Sequence, residues 1–548
     1  MKKNYFFRAL LIVSICFGIN VNAQNTWTGS TNSDWTEESN WSTGSVPDNV
    51  TDDVVIPNVT NDPIINSANI TIFGNLTIQT SAVLTISNGG SLKHIDLGFL
   101  SSTIVNNGSV ILNSGSEFKT DFTVSGSGNF TYNRNLPNTD WYLVSSPFEG
   151  QDIDAFISAE NLATANSDVG LAPYVTATNI WNYVQTGASG TGNFVTGKGY
   201  SVKSNSAGDI SFTGTLLTSN KAITLETTGQ GYNLIGNPYP IHIKSSSLLS
   251  RSSASLDSET IWVWNDDVDT YQAKTSGTGG WNVAPTQSFF VKSDGATGNV
   301  LIYESDQISV DDTFLRTDPL TKIGLTLSDG SISRQASVYY IDGTTTGFDN
   351  GYDGPRFMAG DNNFAFYTHL VSDSEGVDYD IQALPTDNYE NMIIPVGINA
   401  VAGTDITIDA SITDFPEGIN VYLEDQEDNS FTLLDADSNF TTTLLSDING
   451  IGRFYLHTTS DSLSSSDDIL NSNNISMYMS SKENLRIVGV QNGITNINIY
   501  NILAKKVLNT SFEGTGVNDV KLPSLAKGIY VVRLSTDTVI INKKVIIQ

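Results

Sequence analysis

The chain has 548 residues, several times the roughly 150 of a typical domain, so it must divide into modules. Hydrophobic residues make up 39% and charged residues 16%, with Gly, Ser, Thr, Asn and Asp abundant between them. That make-up excludes coiled coils and multispan membrane proteins and points to turn-rich β structure. Lys and Arg total 27 against 58 Asp and Glu, a net charge of −31, which removes the attraction to a phosphate backbone and with it nucleic acid as a partner.

Lys2, Lys3 and Arg8 precede an apolar run from Ala9 to Ile19, and Val21-Asn22-Ala23 offers a small-residue cleavage site. Residues 1–23 therefore read as a signal peptide, with a mature chain starting at Gln24. No later stretch reaches the ~18 apolar residues of a membrane helix, so no transmembrane segment is expected in the mature chain. Cys16 is the single cysteine and lies inside this leader without a lipobox around it. The mature chain then has no thiol, which excludes disulfides, thiolate nucleophiles and cysteine-bound metal.

From residue 24 to 137, Trp27, Trp35 and Trp41 open a Gly/Ser/Asn-rich stretch that settles into short apolar beats. These are Ile70-Thr71-Ile72, Leu76-Thr77-Ile78, Val83-Leu84-Thr85-Ile86, Ile104-Val105 and Val110-Ile111-Leu112. Strands this short, turning on corners such as Asn88-Gly89-Gly90 and Asn106-Asn107-Gly108, stack as the rungs of a short β-solenoid, with the tryptophans as its cap. The opening, from Thr26-Trp27-Thr28-Gly29 to Val54-Val55-Ile56-Pro57, resembles the start of β-helical surface proteins secreted by Bacteroidetes. The stretch is too short for the many rungs of a pectate-lyase-type enzyme.

Residues 138–311 carry an internal duplication. Trp141-Tyr142-Leu143-Val144-Ser145-Ser146-Pro147-Phe148 returns as Tyr232-Asn233-Leu234-Ile235-Gly236-Asn237-Pro238-Tyr239, Ile180-Trp181-Asn182 as Ile261-Trp262-Val263, and Gly199-Tyr200-Ser201-Val202-Lys203 as Ser288-Phe289-Phe290-Val291-Lys292. Three landmarks in one order imply two copies of one β unit, or one sandwich of two similar halves. The wording around Gly236-Asn237-Pro238-Tyr239-Pro240 resembles a segment of large flavobacterial surface proteins, a likeness that assigns no chemistry.

Residues 312–460 alternate apolar and polar positions, as in Ile323-Gly324-Leu325-Thr326-Leu327, Val338-Tyr339-Tyr340-Ile341 and Val421-Tyr422-Leu423-Glu424, and predict a β-sandwich. The stretch Ile341 to Gly354, with Ile381-Gln382-Ala383-Leu384-Pro385, resembles the sandwich that precedes sorting domains in these bacteria. Residues 461–482 are Ser/Asp/Asn-rich and read as a linker.

The last module, residues 483–548, contains Leu485-Arg486-Ile487-Val488, Ile497-Asn498-Ile499-Tyr500-Asn501, Lys505-Lys506-Val507, Leu525-Ala526-Lys527-Gly528-Ile529-Tyr530-Val531-Val532-Arg533-Leu534 and a terminal Lys543-Lys544-Val545-Ile546-Ile547-Gln548. It resembles a type A sorting domain of the type IX secretion system, which implies a small β-sandwich read by the outer-membrane translocon. Gly528, Tyr530, Arg533, Lys543 and Lys544 are the residues that carry the sorting motif, and Ala504 departs from the glycine that this family commonly has before the Lys pair. Residues 482–548 hold nine Lys/Arg against four Asp/Glu, while residues 24–481 hold 15 against 54. A mildly basic tail on a strongly acidic cargo is consistent with a detachable address.

Chemistry is sparse. His94, His242, His369 and His457 stand in separate neighbourhoods without metal-ligand spacing, no G-x-S-x-G elbow occurs, and each histidine reads as a packing or surface residue. Asp342, Asp349 and Asp353 in a Gly-rich loop are the candidate calcium ligands, with Asp266, Asp267 and Asp269 as a second acidic cluster. The competing reading of both is ordinary turn chemistry, and no other cofactor is expected. Trp181, Trp262, Trp264 and Trp281 sit among Asn, Asp, Gln and Thr, the mixture that holds sugars. Because Trp262 and Trp264 share a strand face, a buried stripe is the alternative.

The whole reads as all-β and multidomain: a solenoid-like region, β-sandwich modules and a small C-terminal sandwich. The function expected is that of an exported cell-surface or secreted, non-catalytic adhesin, matrix or glycan-binding component. Its partners would be the type IX translocon and extracellular polysaccharide or surface lipopolysaccharide. The alternative is a carbohydrate-active hydrolase or lyase with an unrecognised acidic pair.

Overall fold

The computed structural model describes residues 23–548 except 48–51, 99–101, 266–269, 279–280, 310–319, 361, 388, 391, 429, 461–462, 464–474, 482–483, 491–492, 515, 527, 538 and 548. The leader, the cluster Asp266, Asp267 and Asp269, and most of the expected linker lie outside the described residues. The chain divides into two compact units, residues 1–133 with 213–218, and residues 134–212 with 219–548.

The first unit consists of short parallel strands. Ala23–Thr26, Asp52–Ile56, Leu76–Ile78, Ile104–Asn106 and Val124–Ser125 form one sheet, and Asn69–Ile72, Ser91–His94 and Glu117–Thr120 a second. Ile64–Ile65, Val83–Ile86, Ser109–Asn113 and Asn129–Leu136 stack in a third column. From Asp52 on, the chain visits first, third and second in that order and then starts again. Val54 lies over Leu76 and Leu76 over Ile104, while Leu84, Val110 and Phe130 form a like ladder in the third sheet. All are buried. The apolar beats read from the sequence are the strands of the first and third sheets and, at Asn69–Ile72, of the second. Ser91–His94 and Glu117–Thr120 escaped notice because each inserts one large apolar residue, Leu92 or Phe118, between polar ones. Trp27, Trp35 and Trp41 are interior, their rings 4.7 to 6.4 Å apart.

In the second unit the duplication is realised strand by strand. Tyr142–Val144 pairs antiparallel with Tyr200–Val202, setting Leu143 opposite Ser201; Tyr232–Gly236 pairs antiparallel with Ser288–Lys292, setting Leu234 opposite Phe290. Each third strand continues into a hairpin, Leu171–Val175 with Ile180–Trp181 in the first copy and Thr260–Asn265 with Thr270–Thr275 in the second. A short helix follows the first strand in both, Ile153–Ala159 and Ser245–Ser252. The middle landmark of the sequence comparison needs correcting: the counterpart of Thr260–Asn265 is Leu171–Val175, one strand before Ile180–Trp181. The copies meet reciprocally, Val144 bridging Gln287 and Lys198 bridging Ile235.

The Gly-Asn-Pro-Tyr wording has a structural cause. Asn237 is buried, and its amide donates to the carbonyls of Ile241, Val283 and Ala284 at 2.7 to 3.1 Å while its Oδ1 accepts from Tyr239 N–H. A corner without regular ladder bonds is thereby satisfied by one side chain.

The segment from Thr321 to Thr459 forms one long sheet. In order along it come Ser430–Leu433, Asn420–Asp425, Ile448–Thr459, Met392–Ala400, Ala365–Thr368, Tyr379–Leu384, Ser333–Tyr340, Thr321–Ser328, Asp405–Thr413 and Phe440–Thr443. Its two ends fold over a shared core that includes Ile323, Leu325, Leu327, Ile394, Val396, Leu423, Leu456 and Phe454. The last seventy residues form two antiparallel sheets: Ser476–Ser481, Asn484–Val490 and Gly516–Lys521, then Lys506–Glu513, Ile494–Asn501, Gly528–Ser535 and Ile540–Ile547. Leu485, Ile487, Ile497, Ile499, Tyr530, Val532 and Leu534 lie between them.

Candidate ligand-binding cleft

The four tryptophans named from the sequence do not form one platform. Trp262 is 1% exposed, donates its indole N–H to the Pro355 carbonyl at 2.8 Å, and packs on Tyr232 and Phe357. It belongs to the core. Trp181 is half-buried against Tyr174 and Phe290. Trp264 and Trp281, by contrast, line one cleft of about 300 Å³.

That cleft lies between the second-copy hairpin and the strands of the long sheet. Trp264 and Tyr271 face each other across the hairpin at 5.0 Å between ring centroids, and Tyr271 is held from behind by Phe357 and Phe290. Lys274 projects its ammonium over the Trp281 ring, 5.1 Å from the centroid. Lys322 comes from Thr321–Ser328 and stands over the ring of its cross-strand neighbour Tyr339 at 5.3 Å. Arg334 and Arg356 complete the cationic lining. Arg334 is engaged with the carbonyls of Phe364 and Ser333, and Arg356 lies 4.0 Å from Asp378.

The electrostatics are one-sided. Burial lowers the Lys274 pKa below the ordinary lysine value, and the charge of Lys322 lowers it further. Asp380 is the one carboxylate among the described lining residues, and burial pushes it up to about 8, against the opposing pull of Arg356. At neutral pH Asp380 is then mostly protonated. The indole N–H groups of Trp264 and Trp281 are buried without a hydrogen-bond partner. The cleft therefore offers aromatic faces and donors in excess of acceptors.

A second cleft of about 680 Å³ is lined by Tyr232, Trp262, Phe348, Tyr379 and by Asp257, Asp373, Glu375 and Asp378. Its Asp257 is paired with Lys292 at 2.7 Å.

The aspartates proposed for calcium do not converge. Asp353 is fully buried and its carboxylate accepts the backbone N–H groups of Asp349 and Ala383, both at 2.7 Å. Asp349 accepts from Thr345 N–H and hydroxyl, and Asp342 is exposed. The Asp349 and Asp353 carboxylates organise the turn. Among the described residues no group of three His, Cys, Asp or Glu side chains gathers to hold a metal. Nor do the histidines assemble: His94 bonds the Gly74 carbonyl and packs at a tilt against Phe122, His369 bonds Asp378, and His457 bonds Glu424. Lys274, Lys322 and Arg356 escaped the sequence reading because they are scattered over more than eighty residues, with no spacing to mark them.

In the C-terminal module Gly528 opens its strand at φ +153°, Tyr530 is buried with its hydroxyl on the Ala526 carbonyl at 2.8 Å, and Arg533 is exposed. Lys543 and Lys544 pair across from Val532 and Val531. Lys543 is half-buried, with desolvation lowering its pKa while Asp373 and Glu375 pull it back up; Lys544 is exposed.

Residues 479–548 match the model of the secretion system C-terminal sorting domain. The chain is thus a multidomain, all-β protein that the type IX system exports and sorts to the outer cell surface. Residues 26–277 and 265–457, most of the remainder, match one further family model, and the chain belongs to that family, described as a domain of unknown function (DUF8693). No curated protein matches the chain. Among solved structures it is similar to a "Biofilm associated protein - BSP domain" at 8% identity, covering 75% of this chain and 96% of that one, with a TM-score of 0.16, too low to carry fold or role across. Among the described residues no helix is long and apolar enough to cross a membrane.

Proposed function

We propose that the exported cargo is a non-catalytic glycan-binding protein of the cell surface, serving as an adhesin or matrix component. The observation that carries this reading is the cleft walled by Trp264, Tyr271 and Trp281 and edged with polar donors. Flat aromatic rings take the apolar faces of sugar rings while the donors take hydroxyls. Hydrolysis by paired carboxylates needs two of them across the scissile bond, and only Asp380 lines this cleft among the described residues. Calcium has no part in this reading.

The test is retention of the mature chain on plant and algal polysaccharides, with a parallel assay of reducing ends. Binding without turnover, lost in a W264A/W281A variant that still melts cooperatively, supports the proposal. Retention that survives the double substitution overturns the site. Released reducing ends would favour the alternative hydrolase or lyase, and the carboxylate-lined second cleft is where its acidic pair would be sought.

A further inference from the structure

The cleft has a chemical bias that the general reading does not contain. Among the described residues neither Lys274 nor Lys322 makes an ion pair, although residues 24–481 hold 54 acidic residues against 15 basic ones. In so acidic a chain, two lysines that line one cleft, each over an aromatic ring, and have no ion-pair partner are unexpected. The charge of Lys322 disfavours that of Lys274. The donors around them support the same reading: Trp264 Nε1 and Trp281 Nε1 are buried without a hydrogen-bond acceptor, while Arg356 Nη1 has only the Asp378 carboxylate at 4.0 Å. A ligand that satisfies this wall must bring acceptors and negative charge.

We propose that the cleft binds an anionic sugar unit, a pyranose bearing a carboxylate or sulfate, with Trp264 and Trp281 as its stacking faces and Lys274 and Lys322 as its anion clamp. The inference rests on the glycan-binding reading and narrows it. The volume of about 300 Å³ is at the small end of ligand pockets, so the cleft takes a short stretch of chain. The acidic surface elsewhere repels a densely charged polymer. A sugar chain that carries its charge sparsely, or a short oligosaccharide, meets both conditions. Charge-assisted hydrogen bonds from the lysines gain strength in the partly desolvated site.

The experiment is calorimetric titration of the whole mature chain with trigalacturonate, with a sulfated galactan oligosaccharide, and with neutral maltotriose. Binding of either anionic oligosaccharide at least tenfold tighter than maltotriose is expected, and the better of the two identifies the anion. A K274Q/K322Q variant should lose at least tenfold in affinity for it at unchanged melting temperature, and K274R/K322R should recover most of that loss. If maltotriose binds as well as the charged sugars, or the Gln variant binds them undiminished, the anion clamp is wrong and the glycan-binding reading stands. If none of the three binds, and neutral and charged polysaccharides alike fail in the retention assay, both readings fall.

Discussion

Gly236 lies against Ser145 so closely that a methyl group on Gly236 would overlap the Ser145 side chain. The two are counterparts in the duplicated module, and the mirror contact exists as well: a Cβ on Gly199 would meet Ser288 Cβ at 2.8 Å. At each matched position one copy has Gly and the other Ser, so the reciprocal bridges Val144 to Gln287 and Lys198 to Ile235 close with one side chain per contact. Gly236→Ala should destabilise the chain by about 1–3 kcal/mol or more, since nothing nearby can yield without moving backbone. Ser145→Gly should recover part of that loss in the double variant, an interaction energy readable from a urea-melt cycle. Additive single effects would show that the two positions do not compete for space.

The duplication was legible in the sequence through its two outer landmarks because strand pairing preserves them: the register that sets Leu143 opposite Ser201 also sets Leu234 opposite Phe290. The middle one misled for a physical reason. Each hairpin carries a cross-strand aromatic pair, Tyr174 with Trp181 at 5.3 Å and Trp264 with Tyr271 at 5.0 Å, with the tryptophan on the second strand in one and on the first in the other. The Trp changed strands between copies, so matching Trp to Trp shifted the alignment. The same limit hid the cleft. Period-two alternation places Trp262 and Trp264 on one face, yet Tyr232, Pro355 and Phe357, which enclose Trp262, come from remote segments, and no local pattern reports them. The sorting module was legible because its strand motifs alternate in sequence as they do in space, Tyr530, Val532 and Leu534 inward and Ile529, Val531 and Arg533 outward.

Trp35→Ala should open the N-terminal unit. Its ring is fully buried and packs edge-on against Trp41 at 4.7 Å and along Trp27 at 6.4 Å. Truncation removes one ring of a three-ring buried cluster, and a loss of about 3–5 kcal/mol is expected. Hydrogen exchange should show lost protection in Asp52–Ile56 and Leu76–Ile78; unchanged protection there would mean that the cluster is peripheral to the stack.

Asp353 makes stability depend on pH in an uncommon direction. Burial raises its pKa from the ordinary aspartate range to about 7, with backbone bonds from Asp349 and Ala383 opposing the shift. Between about pH 4 and 7 the folded chain therefore holds a proton that the unfolded chain has released. This contribution to stability is full at the acid end and is lost as pH rises through that window, with a slope of at most about 1.4 kcal/mol per pH unit. D353N keeps a neutral side chain at all pH values, so its stability relative to the parent should improve from pH 5 to pH 8 in urea midpoints. A constant difference across that range would show that Asp353 is ionised in the fold.

Ala504 adopts φ +57° in the turn between Ile494–Asn501 and Lys506–Glu513, where the sorting family commonly has glycine. The turn is closed by Asn501, whose Oδ1 accepts from the N–H of Leu503 and Lys505 at 3.0 Å, while the Asn501 N–H donates to the Lys505 carbonyl at 3.0 Å. These bonds hold Ala504 in a left-handed conformation that costs an alanine about 1–2 kcal/mol. Ala504→Gly should relieve most of that strain, less the entropy that glycine adds to the unfolded chain, for a net gain of roughly 0.5–1 kcal/mol. The gain should appear as slower amide exchange across residues 494–513. Because Gly528, Tyr530, Arg533, Lys543 and Lys544 lie on other strands or at their ends, export of A504G should match the parent. Deletion of residues 479–548 should instead leave the cargo in the periplasm of a host with a working translocon. Cargo found outside the cell after that deletion would separate the stability of this module from any role in export.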